Sequence, residues 1–423
     1  MVVLRLGSTG PYVKLIQSLL TRIGYNPGAV DGIYGIQTKN AVMAYQRDNN
    51  LYPDGIVGPM TWQSFLNILK GYDNYIIQPN DTLYNIARKY YTSVNAIITA
   101  NPGINPNNLT IGESIIVPYG IEAVFTDIDY TYKIMEMDIM ELKVRYPFIE
   151  VGVVGKSVLG NNLYYIKLGS GPNQVFYNGA HHALEWITSP LLMKFIENFS
   201  KAYSNKESIR GYNIQNIWEK SSIYIIPMVN PDGVDLCLEG LEPTNPYYYN
   251  LLEWNDTGLP FSLVWEANIR GVDLNLNYPA GWEEAKALED EFGVFGPGPT
   301  GYGGEAPLSE PETISLVDFT LNKHFRLTIS YHSQGRVIYW TYKGLEPPES
   351  KKIAEVFSRV SGYSLAEPPL IAAYAGYKDW FIDEFRRPGF TIEVGIGENP
   401  LPIEQFNTIY NENEEILLVG AVI

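Results

Sequence analysis

The sequence predicts an α/β domain over residues 125–423, preceded by a small helical module and a module of strand–helix–helix–strand order. Three observations carry that expectation. Past residue 125, strand-like apolar runs such as Ile223-Tyr224-Ile225-Ile226-Pro227 alternate with helical patterns such as Leu191, Leu192, Phe195, Ile196 and Phe199, the alternation that builds α/β domains. The residues best suited to chemistry fall at the ends of those runs, where open α/β sheets carry their sites. Ahead of them, residues 1–70 repeat one glycine-marked turn.

In the first module, Asp31-Gly32-Ile33-Tyr34-Gly35-Ile36-Gln37-Thr38 is answered by Asp54-Gly55-Ile56-Val57-Gly58-Pro59-Met60-Thr61. Each turn opens a helical pattern, with threonine near the helix start. Val13, Ile16, Leu19, Leu20 and Ile23 recur at helical spacing before the first turn, and Ala41, Met43, Ala44 and Tyr45 lie between the two. A small helical bundle follows. In residues 74–119, Tyr75-Ile76-Ile77 starts a strand. Pro79-Asn80-Asp81-Thr82-Leu83 turns into a helix holding Ile86 and Ala87, and a second helical stretch holds Val94, Ile97 and Ile98. Asn101-Pro102 breaks that helix, and Ile115-Ile116-Val117-Pro118 returns as a strand. Gly120 to Phe125 is a short linker.

Composition narrows the function. A chain of 423 residues is long for one domain, and 45% hydrophobic content with 13% aromatics belongs to a packed protein. The net charge of −17, with no cluster of Lys or Arg, argues against nucleic acid and anionic membrane surfaces as partners. The single cysteine, Cys237, permits no intrachain disulfide and no thiolate zinc site. The first residues show neither a basic segment nor an apolar segment with a cleavage site, and no run of apolar residues is long enough to insert into a bilayer.

The chemistry gathers around His182-Ala183-Leu184-Glu185, which follows the strand-like Val175-Phe176-Tyr177. A histidine and a glutamate three apart at a strand end can turn toward one point. A distant histidine completes the two-His, one-carboxylate set that leaves zinc an open position. The chain has four histidines, His181, His182, His324 and His332, and His332 closes the strand pattern starting at Leu327.

Five ordered signatures then resemble the zinc carboxypeptidase family: HALEW (182–186), NPDG (230–233), GVDLN (271–275) with Asn277, YHSQ (331–334) and TIEVG (391–395). The resemblance implies a mixed sheet, one Zn2+ per chain held by His182, Glu185 and His332, and Glu393 as general acid/base. It also implies Asp273 as the partner that orients His182. Residues 1–70 resemble the peptidoglycan-binding-domain-1 family through the paired DGxxGxxT turns. Residues 74–119 resemble a LysM module through DTLxxIA, NP and IGxxIxVP. That likeness implies a glycan-binding groove near Asp81, Thr82 and Asn101.

Departures from the carboxypeptidase pattern shape the expected substrate. The family holds a terminal carboxylate with Asn-Arg in D-x-N-R-N. Here Asn275 is kept but Leu276 stands in place of the arginine, and leucine makes no charge-assisted clamp. Glu266 occupies a position that is usually basic, leaving Arg270 as the expected oxyanion donor. Leu184 stands where many relatives carry a substrate-binding arginine. Lys378, just before Asp379-Trp380, matches the base of the specificity pocket and would suit a substrate carboxylate, while Tyr374 or Tyr377 would supply the active-site phenol.

The full arrangement resembles the γ-D-glutamyl-meso-diaminopimelate peptidases, cell-wall hydrolases of spore-forming bacteria. It implies peptidoglycan glycan chains and stem peptides as partners and action at the cell wall or spore, with the cytoplasm of the mother cell as the other compartment. Two other readings are weighed beside it: a metallocarboxypeptidase for acidic C-terminal residues, and a catalytically inactive wall-binding protein. The sequence leaves oligomeric state open.

Overall fold

The computed structural model describes residues 2–423, with the side chain of Ile371 set aside. It forms two compact units, Met1–Asp129 with Glu136–Phe148, and Tyr130–Met135 with Ile149–Ile423. The first unit therefore extends past residue 125. Arg145 accounts for part of this, donating to the carbonyls of Gly71 and Ile121 while pairing with Glu141.

In the first unit, helices Pro11–Arg22, Ile36–Asp48 and Pro59–Leu69 close over Val13, Ile16, Leu20, Val42 and Phe65. The repeated turn has a physical cause. Buried Gln17 donates to Asp31, the Ile33 carbonyl and Thr38, and accepts from Gly32 N. Gln46 makes the same four bonds to Asp54, Ile56, Thr61 and Gly55. Each glutamine thus satisfies the polar groups of one turn. Beyond them, strands Tyr72–Ile76 and Ser114–Pro118 pair antiparallel, and helices Leu83–Lys89 and Val94–Ala100 pack on them through Leu83, Ile86 and Ile97.

The second unit is built on an eight-stranded mixed sheet. From one edge its order is Ser364–Ala366, Val337–Tyr339, Gly389–Val394, Leu327–Ser333, Asn173–Gly179, Ser221–Ile226, Asn162–Leu168, Glu150–Lys156. The four inner strands, from Gly389–Val394 to Ser221–Ile226, run parallel, and antiparallel pairings flank them on both sides. Parallel strands need cover on both faces, and Leu327–Ser333 and Ser221–Ile226 are buried at every position. Successive side chains point to opposite faces. Phe176 accordingly joins Phe325, Tyr377 and Phe381 on one face, while the Tyr177 hydroxyl reaches the Leu417 carbonyl of helix Phe406–Val422. All four inner strands end on one side, and the chemistry lies there.

Candidate active site

Strand Asn173–Gly179 ends in a sharp turn. Ala180 has a left-handed backbone, φ 52°, which costs an alanine about 1 kcal/mol. Neighbours hold it there: Ala180 N donates to the Thr188 hydroxyl at 2.8 Å, and Asn230 N donates to the Ala180 carbonyl at 3.0 Å. Asn230 also sends its side-chain amide to the carbonyls of His181 and Ala267, both at 3.1 Å. The asparagine of the NPDG signature is therefore a clamp on the histidine-bearing turn. Its Asp232 fixes a second loop through Ser157, Leu159 N and Asn161.

The single 3-10 turn Ala183–Glu185 then brings His182 and Glu185 together. His182 Nδ1 lies 3.0 Å from Glu185 Oε1, and His332 Nδ1 lies 2.8 Å from Glu185 Oε2. One ligand atom from each of the three falls within 4.8 Å of the others. His182 Nε2 faces Asp273 Oδ1 at 3.2 Å. That carboxylate is itself fixed by Asn275 N and Gly301 N.

This donor set fits zinc. With Nε2–H given to Asp273, the neutral His182 ring turns a lone pair on Nδ1 toward a carboxylate oxygen, an arrangement that calls for a cation between them. Without a metal, a proton takes that place. Burial works against a charged His182, but Glu185 and then Asp273 outweigh it and hold the ring well above its ordinary range. Burial likewise raises Glu185, yet the His182 and His332 rings bring it down to about 2.

Glu393 pairs in register with His332 on the adjacent strand. Burial, and after it the Glu185 charge, pushes its carboxyl well above the usual range. A cavity of about 580 Å3 lies beside these residues, with Leu184, Glu266, Thr300, Ser333 and Gln334 in its wall. Glu266 accepts from the Thr300 hydroxyl at 2.6 Å, and burial raises its pKa. His181, next to His182, is buried with its Nε2 3.0 Å from Tyr278 Oη and its ring stacked on that of His332 at 5.6 Å, and burial chiefly holds it neutral.

The remaining expected site residues separate in the structure. Arg270 donates Nε–H to the Tyr247 hydroxyl at 3.3 Å, and its Nη1 lies 3.6 Å from Glu310. Lys378 is buried, donating to the Thr341 carbonyl and paired with Asp379. It already has the carboxylate that the sequence assigns to a substrate. Tyr377 lies in the core with its hydroxyl on Thr320, which removes it as the active-site phenol. Tyr374 is half-buried beside Lys343 and keeps that candidacy. Asn275 accepts from Tyr377 N at 3.1 Å.

The three residues expected at the glycan groove are occupied within their module. Asp81 accepts from Tyr75 and Gln78 N, Thr82 caps helix Leu83–Lys89, and Asn101 bonds Ile97 and both polar backbone groups of Ile116. They shape the module's frame.

Comparison with known proteins matches residues 135–416 to the zinc carboxypeptidase family, 9–65 to a peptidoglycan-binding domain and 75–118 to a LysM domain. The γ-D-glutamyl-L-diamino acid endopeptidase 1 of Lysinibacillus sphaericus is 45% identical over 293 residues, covering 69% of this chain and 72% of that protein. Carboxypeptidase B of Rattus norvegicus is 26% identical over 267 residues, 57% of each chain. The solved structure of thrombin-activatable fibrinolysis inhibitor shares the fold, with a TM-score of 0.54 at 20% identity over 70% of this chain and 76% of that one.

Proposed function

The chain belongs to the zinc carboxypeptidase family, and we propose that it hydrolyses the γ-D-glutamyl–meso-diaminopimelate bond of peptidoglycan stem peptides. The observation that carries this reading is the donor set His182, Glu185 and His332 beside Glu393, in a chain 45% identical to a γ-D-glutamyl-L-diamino acid endopeptidase. The peptidoglycan-binding and LysM matches ahead of it support a wall substrate. They would act by raising local substrate concentration, and they favour the cell wall as the place of action.

His182, Glu185 and His332 would hold the zinc, which when bound would supply Lewis-acid activation of a water and of the scissile carbonyl. Glu393 takes the proton that water loses as its oxygen adds to the carbonyl carbon, then delivers it to the departing amine nitrogen. Asp273 keeps the His182 ring in one tautomer and orientation, and Asn230 holds the turn that presents it. Leu276, buried where the family's carboxylate-binding arginine would stand, argues against a plain carboxypeptidase.

The test is mass spectrometry of L-Ala-γ-D-Glu-meso-diaminopimelate incubated with zinc-loaded protein, with Glu393→Gln as control. Release of L-Ala-D-Glu and free diaminopimelate, lost in the variant, is the expected result. An intact peptide with one zinc bound per chain would sink the substrate assignment.

A further inference from the structure

The first unit holds a cavity of about 670 Å3 to which both of its modules contribute. Tyr25, Tyr45 and Asn49 come from the helical module, and Lys89, Tyr91 and Tyr119 from the strand–helix module and its exit. The volume falls within the roughly 300–1,000 Å3 of small-molecule sites. Its walls are fixed rings. Tyr25 meets Tyr45 edge-on at 5.7 Å, and its hydroxyl donates to Asp48 at 2.8 Å. Tyr119 lies 5.8 Å from Tyr90, whose hydroxyl donates to Asp73 at 2.6 Å.

Tyr91 is different in kind. Its side chain is 89% exposed and its φ is 53°, and it is the one aromatic among the described non-glycine residues with positive φ. A bulky side chain in the left-handed region is disfavoured and persists only where the surroundings impose it. Here the end of helix Leu83–Lys89 does so, with Tyr91 N donating to the Arg88 carbonyl and Thr92 N to the Ala87 carbonyl, and the linker packs against that turn. Gly120 N donates to the Tyr90 carbonyl at 3.2 Å, and a Cβ on Gly120 would lie 1.6 Å from the Tyr91 carbonyl oxygen. The backbone of Tyr91 is thus pinned, while the residue adds almost nothing to the core and lines the cavity.

Aromatic faces rimmed by an amide and an ammonium suit a ligand with an apolar C–H face and a periphery of hydroxyl and acetamide groups. A sugar ring has that form. We propose that this cavity is a saccharide subsite in which Tyr91 stacks on one N-acetylated hexosamine of a glycan chain, engaging both modules at once. The assignment rests on the reading that the two modules bind wall glycan. It places the contact away from Asp81, Thr82 and Asn101.

The experiment is calorimetric titration of the full chain with the N-acetylglucosamine tetramer. Tyr91→Ala is expected to weaken binding roughly tenfold, the scale of one aromatic stacking contact, while Tyr91→Phe binds as the unmodified chain does. Tyr91→Gly supplies the control for folding. It relieves the left-handed strain, so its Tm should rise while binding is lost, a combination that a purely structural tyrosine would not give. Unchanged affinity in Tyr91→Ala overturns the subsite and leaves glycan binding standing. No titration by the unmodified chain also overturns the subsite. If purified sacculi then fail to retain the chain, the glycan-binding reading falls with it.

Discussion

Glu393 and His332 stand opposite each other on neighbouring parallel strands, in register one residue before both strands end. Side chains paired this way share a face, so the sheet itself sets the base beside a ligand. Glu393→Gln keeps the shape and removes the proton acceptor. Turnover of the stem peptide should fall by about 10²–10⁴-fold, with zinc content by mass spectrometry still at one per chain. Loss of zinc together with activity would contradict the assigned role.

Zinc uptake should release protons. His182 is held above its ordinary pKa by Glu185 and Asp273, so near neutral pH the metal-free ring is charged and must lose a proton to become a ligand. Apparent affinity should therefore climb as pH rises toward that raised pKa and weaken as pH falls. Calorimetry in buffers of different ionisation enthalpy counts the released protons, and a pH-independent affinity would contradict the arrangement.

Asp273→Asn preserves an acceptor for His182 Nε2 but removes the charge. Zinc affinity should drop by about tenfold, the lower end of the ~10–100-fold cost of losing such a partner. Competition with a chelator of known affinity measures it.

Asn230→Ala leaves the His181 and Ala267 carbonyls unpaired in a buried setting and uncaps helix Pro231–Glu239. The expected destabilisation is about 1–3 kcal/mol, read from denaturant midpoints. Zinc affinity should fall as well, because the turn bearing His182 loses its clamp.

Glu312 gives an alkaline signature. Burial pushes its carboxyl up to about 8 from an ordinary value of 4.5. The folded state then binds more protons than the unfolded one across that window, so stability falls as pH rises from about 4.5 through about 8. Glu312→Gln removes that decline. Its Tm should change less between pH 6 and 9 than that of the unmodified chain, and parallel curves would count against the buried acid.

The cluster of His182, Glu185 and His332 was legible in the sequence because His332 sits at the end of a strand pattern, while His182 and Glu185 share the turn after one, each within a recognisable signature. The mixed sheet and both N-terminal modules were legible for similar reasons. Tyr377 was not, since its choice between core and cleft depends on which side of helix Tyr377–Phe385 meets the sheet. Lys378 misled for a local reason. Adjacent helical residues do not ordinarily face each other, yet Lys378 and Asp379 pair at the start of this helix. The clamp by Asn230 joins segments far apart in the chain, and no local pattern announces it.

Strand Gly389–Val394 is the last of the eight to be synthesised, yet it lies inside the sheet, between Val337–Tyr339 and Leu327–Ser333. During vectorial synthesis, every earlier strand can emerge while that slot is still open. Glu393, the proposed base, arrives with the strand that fills it. A nascent chain can therefore gather His182, Glu185 and His332 before it has a base. With Glu393 as the proposed base, hydrolytic competence would wait on the last strand of the sheet to leave the ribosome.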